Sequence, residues 1–97
     1  MNDESPEHEH SNSDGLSPET MALAALGWIL GDQSRAERLL SLTGLTPEIL
    51  RDRLADRSVQ AAVLEFLTNH EPDLIAAADE LAVKPEDIAA AHERLSR

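Results

Sequence analysis

Four of the chain's five prolines stand where a helix would begin, and this punctuation limits the fold more than any other feature. Proline lacks a backbone N–H and holds φ near the helical value, so it suits a first helical turn and breaks a helix interior. Ser17-Pro18-Glu19 and Thr46-Pro47-Glu48 each combine a hydroxyl N-cap, a proline and an acid that suits the positive helix end. Pro72-Asp73 and Pro85-Glu86-Asp87 repeat the signal. Asp32 offers another cap, and Asp56 or Ser58 one more. Gly31 is expected to take the left-handed stop conformation after the first helix, and Gly44 to end the second. Nothing in the chain reads as a strand.

The apolar spacing agrees with six short helices. The first should run from Pro18 to about Leu30, and Met21 to Leu30 is apolar on nearly every side. A helix of that kind belongs in the middle of a bundle. The others carry stripes: Ala36, Leu39 and Leu40; Ile49, Leu50 and Leu54; Val59, Ala62, Val63, Phe66 and Leu67. Leu74, Ile75, Ala78 and Leu81 form the fifth, and Ile88, Ala91, His92 and Leu95 the sixth. Connections this short fold each helix back on its neighbour. The predicted fold is all-α, a compact bundle of five or six short helices.

Charge sets the domain boundary. The 97 residues hold 19 acids against 8 bases, a formal charge of -11, and the first sixteen residues hold five acids and no base. With Met1 and Leu16 as its only apolar residues, that stretch cannot offset the entropy of ordering itself. Residues 1–16 are therefore expected to be a disordered acidic tail, and 17–97 a single helical domain. No cysteine is present, which excludes disulfides and thiolate sites. Trp28 and Phe66 are the only aromatics, so an acidic chain has little with which to grip phosphates or stack bases, and no nucleic-acid partner is expected. Met21 to Leu30 is too short to span a bilayer, and no basic segment opens the chain, so neither a membrane partner nor a secretory signal is expected. The reading is cytoplasmic.

The two halves resemble each other at an offset of 38 residues. Ala24-Ala25-Leu26-Gly27-Trp28-Ile29 then lies over Ala62-Val63-Leu64-Glu65-Phe66-Leu67, and Pro47-Glu48 over Pro85-Glu86. Four identities over 27 positions are too few to carry the case alone, but the two aromatics and two helix starts coincide. Two pseudo-repeated three-helix units in a closed bundle would explain this, with Trp28 and Phe66 as central fillers. The run Ala25-Leu26-Gly27-Trp28-Ile29-Leu30-Gly31-Asp32 and the run Leu39 to Glu48 resemble the domain-of-unknown-function family 3572, short alphaproteobacterial proteins. Val63 to Leu67 and Pro85 to Ile88 share that resemblance, which covers about Glu19 to Leu95. Where the first half has Gly44-Leu45 the second has Ala82-Val83, so its fifth helix must end without glycine. The resemblance implies no activity and no site residues.

Candidate chemistry is thin. His92 lies on an apolar stripe, where a buried imidazole bonded to a carbonyl is expected, and Ser96 at its i+4 position excludes a zincin pair. His70 is expected to end the fourth helix, and Glu71 and Asp73 to serve a helix start rather than a ligand set. Glu7-His8-Glu9-His10 is the most metal-like stretch, but a disordered tail cannot preorganise a site. No nucleophile elbow, phosphate loop or dinucleotide turn is present, and so small a chain lacks the loops that build a pocket. Gly27 and Gly31 are read as a close approach by a neighbouring helix. No enzyme activity, cofactor or metal is expected.

Surface charge is what remains. Arg35 to Arg57 holds five arginines against four acids, while Ser58 to Arg97 holds eight acids against three bases. Arg51, Arg53 and Arg57 are the candidate contact residues for another protein, because arginine is enriched at interfaces and charge steers encounter. The expected function is a non-catalytic interaction or regulatory module. The alternative is a small-ligand binder with a cavity near Trp28 and Phe66. A lure for a basic partner ranks below both, and a surplus apolar face would permit a homodimer.

Overall fold

A computed structural model describes residues 16–97, so the expected disordered tail lies outside the described residues but for Leu16. Six helices follow: α1 (Pro18–Leu30), α2 (Gln33–Thr43), α3 (Pro47–Asp52), α4 (Arg57–Thr68), α5 (Glu71–Leu81) and α6 (Pro85–Leu95). Among the described residues there is no strand. The start signals work as their chemistry requires. Ser17 Oγ accepts from the Thr20 N–H at 3.1 Å, Asp32 from Arg35 at 3.0 Å and Thr46 from Ile49 at 3.1 Å. Asp56, not Ser58, caps α4, accepting the Ser58 N–H at 2.9 Å. Each bond satisfies one donor that the helix leaves open, worth about 1 kcal/mol.

The first stop needs correction. Gly31 is right-handed, with φ -71°, and a Cβ there would lie 3.3 Å from the Trp28 carbonyl oxygen. Among the described residues the left-handed ones are Gly44, at φ 77°, and Ala82, at φ 59°. Alanine is strained at that φ, because its Cβ crowds the following carbonyl. Ala82→Gly is therefore expected to stabilise the fold by about 0.5–1 kcal/mol, and Gly44→Ala to destabilise it by about 1 kcal/mol. Urea unfolding of the pair decides it, and an unstable Ala82→Gly variant would contradict the strain at that turn.

Helices α1, α4 and α6 pack on one another, α2 lies against α1 and α4, and α5 touches all three central helices. Ile29, Leu39, Leu64, Leu67 and Ile88 are fully enclosed. Ala22, Ala25, Ala77 and Ala78 are buried as well, and such small residues let the helices approach closely. The expected central place of α1 is correct, except that Leu23 and Leu30 remain exposed on one side. Four inward assignments need correction. Trp28 is half-buried at the core edge rather than a central filler, Leu54 lies exposed beyond the end of α3, Ile75 is 51% exposed, and His92 is half-buried beside the stripe of Ile88, Ala91 and Leu95. No hydrogen bond from His92 to a carbonyl occurs among the described residues. Gln60, unremarked in the sequence, is buried and donates to the Leu54 carbonyl at 2.7 Å, fastening the chain between α3 and α4.

At the 38-residue offset, α2 and α5 coincide end to end, α3 and α6 begin together, and Gly44 meets Ala82. Packing does not follow. Helix α3 ends at Asp52 with only Leu50 buried, whereas α6 continues to Leu95. The buried residues of α6, Ile88, Ala91 and Leu95, correspond to Leu50, Arg53 and Arg57. Two arginines at core-facing positions cannot be buried unpaired, so α3 stops after one contact.

Candidate functional site

Grooves are present among the described residues, although the sequence promised no loops to build one. The first lies between α2 and the end of α4, with a volume of about 510 Å³. Leu42, Ala62 and Phe66 give it apolar wall, while Arg38, Glu65, Asn69 and His70 supply polar groups. Behind it sits a three-residue cluster. Asp73 is buried in the first turn of α5, and its Oδ2 accepts from Arg38 Nη1 at 2.9 Å. The same oxygen lies 2.9 Å from His70 Nδ1, which must carry the proton to donate to a carboxylate. Burial pushes the Asp73 carboxyl up, but the bonds and charges of Arg38 and His70 outweigh it and hold the group below the usual aspartate value. The Arg38 guanidinium also lies 5.7 Å from the Phe66 ring centroid.

His70 is thus the N-cap of α5 rather than the end of α4, and it does join Asp73 in a cluster. An Asp–His pair of this kind orients an imidazole as a general base is oriented. The hydroxyl lining the same groove, Thr43, donates to the Leu39 carbonyl at 2.6 Å. Trp28 lines neither groove. Arg35 lies over it at 3.8 Å from the ring centroid and donates to the Trp28 carbonyl at 2.8 Å, tying α1 to α2.

The second groove, about 240 Å³, lies where α3 stands off from α1 and α2. Leu26, Leu30, Leu40, Pro47, Leu50 and Leu54 line it, and Arg51 is its one charged lining residue. The other two predicted contact residues stand apart from it. Arg53 is the exposed C-cap of α3, and Arg57 donates to the Arg94 carbonyl at 2.6 Å, closing the end of α6. The offset explains why this groove is open. Leu26, Leu40 and Leu50 correspond to Leu64, Ala78 and Ile88, which are fully buried because α6 packs closely on α4.

Among the described residues no three His, Asp or Glu side chains converge as a metal site, and Glu7-His8-Glu9-His10 lies outside them. No helix there is long and apolar enough to cross a membrane. Fold and grooves together define, among the described residues, a small all-helical bundle carrying an apolar recess and a recess of mixed polarity. The family described as "Protein of unknown function (DUF3572)" matches residues 16–97, and the chain belongs to it. Neither a curated protein nor a solved structure matches the chain.

Proposed function

We propose that the chain is a non-catalytic, cytoplasmic protein-contact module that works through the groove between α1, α2 and α3. One observation carries the reading: six apolar side chains line a recess on the surface, with Arg51 alone supplying charge. An apolar centre with arginine at its edge is the composition of a protein contact. The shared helix bounds also favour a duplicated unit whose first copy kept its short third helix open.

The test is affinity capture on the tagged full chain, comparing Arg51→Glu and Leu54→Ser with Ile75→Ser, a control on α5. Retained species should fall at least about tenfold with the groove variants and persist with the control. A retained set indifferent to the groove variants would sink the reading. The α2–α4 groove favours a second reading, a small ligand with an apolar body against Phe66 and a carboxylate toward Arg38 and His70. Melting-temperature shifts with a metabolite extract, abolished by Arg38→Ala, would support that alternative.

A further inference from the structure

We infer that a second copy of the chain covers the exposed face of α1 and the rim of the open groove at Leu30 and Arg51, the two α1 helices crossing antiparallel beside Gly27 so that each Leu23 meets the partner's Leu30 and each Glu19 the partner's Arg51. The inference rests on reading the groove as a protein contact and names its occupant. At about 100° per residue, Glu19, Leu23, Leu26, Gly27 and Leu30 fall on one face of α1. Leu23 is 45% and Leu30 48% exposed, on a helix whose other sides are covered.

Charge selects the occupant. Copies of a chain at -11 repel each other, so they can meet only where charge is absent or matched. From Thr20 to Gly31 there is no charged residue. The face ends in Glu19 at its N-terminal side and runs into the groove bearing Arg51 beside Leu30. Antiparallel pairing about a two-fold axis sets these opposite charges together twice, whereas parallel pairing sets like against like. The acids of α3, Glu48 and Asp52, are exposed and do not line the groove.

Gly27 lies at the middle of the pairing. A Cβ there would meet nothing within 4 Å in one copy, so no neighbouring helix approaches it, contrary to the expectation for the Gly27–Gly31 spacing. The space is open for the partner's α1, and a bare Cα lets two backbones come close.

Sedimentation equilibrium of the full chain, from about 1 to about 200 μM, should show a dimer that dissociates on dilution. Gly27→Gln should raise the dissociation constant at least about tenfold while leaving the monomer's helical signal intact, since its side chain points into open space. Glu19→Arg and Arg51→Glu should each weaken the dimer about fivefold, and the double variant should restore it to within about threefold. A wild-type chain that stays monomeric throughout, or a dimer indifferent to these variants, overturns the inference. If the monomer still captures another protein in a way that Arg51→Glu or Leu54→Ser abolishes, the wider reading stands without it.

Discussion

Phe66→Ala is expected to lower the free energy of unfolding by about 3–5 kcal/mol, and Trp28→Ala by only about 1–3 kcal/mol. The two aromatics occupy matching positions at the 38-residue offset, yet their surroundings differ. Phe66 is 4% exposed on α4, whose neighbours are α1, α2, α5 and α6, and removing its ring leaves a cavity that those helices can close only in part. Trp28 is half-buried at the corner between α1 and α2, where solvent already reaches it. Its loss removes edge contact and the stacking of Arg35, worth about 0.5–1 kcal/mol at a partly exposed site. Small domains are stable by only about 5–15 kcal/mol, so the Phe66 variant should lose a large share of the total. Urea titration followed by circular dichroism measures both. Equal losses would mean that the matched positions share one environment, contrary to the packing.

Asp73→Asn should cost about 1–2 kcal/mol near neutral pH, and almost nothing in acid. The carboxylate joins α2 to α5 through Arg38 and fixes the cap residue His70. Both partners are well exposed, with Arg38 at 39% and His70 at 49%, so solvent screens them and the figure stays below that of a fully buried pair. The native Asp73 carboxyl lies below its unfolded value, so the native state binds its proton less readily than the unfolded chain does. Its contribution is fully present above about pH 4, the ordinary aspartate value, and disappears as pH falls through the lower native one. Unfolding measured at about pH 7 and below about pH 3 should show the difference between wild type and variant shrinking. A constant difference would show that the charge of the Asp73 carboxylate is not what holds the two helices.

Much of this was legible in the chain itself, for a local reason. A cap, a proline and an acid act within one helical turn, so Ser17, Asp32 and Thr46 could be assigned from neighbours in sequence, and the α4 cap narrowed to Asp56 or Ser58. Stripes were less secure. In α5 the alanines lie on several faces, and Ile75 was assigned inward although Ala77 and Ala78 are the buried residues. The polar cluster could not be read at all, because Arg38 and Asp73 are 35 residues apart and only the packing of α2 and α5 on α4 brings them together. One signal was available: His70 and Asp73 are three residues apart at a helix start, a spacing that lets a cap residue reach the first turn. Of the predicted contact residues, only Arg51 lines the apolar groove, while Arg57 is engaged with the end of α6.

What the sequence determined by itself is therefore the all-helical class, a count of five or six helices, the starts marked by Ser17, Asp32 and Thr46, and the central place of α1. Those follow from the stereochemistry of proline, from side-chain caps and from apolar residues that have to leave water. Which apolar residues stay uncovered was decided only in the tertiary structure. Leu26 and Leu64 are interchangeable as letters at the 38-residue offset and both are buried, but Leu26 floors a groove whose rim, Leu30 and Leu54, is left exposed, whereas Leu64 lies under packed helices. The difference arises from Arg53 and Arg57, which stop α3 from lying down as α6 does, because burying unpaired charge costs more than the apolar contact returns. The charge of -11 says nothing of this by its total. Its absence from one face of α1 became meaningful once the other faces were covered.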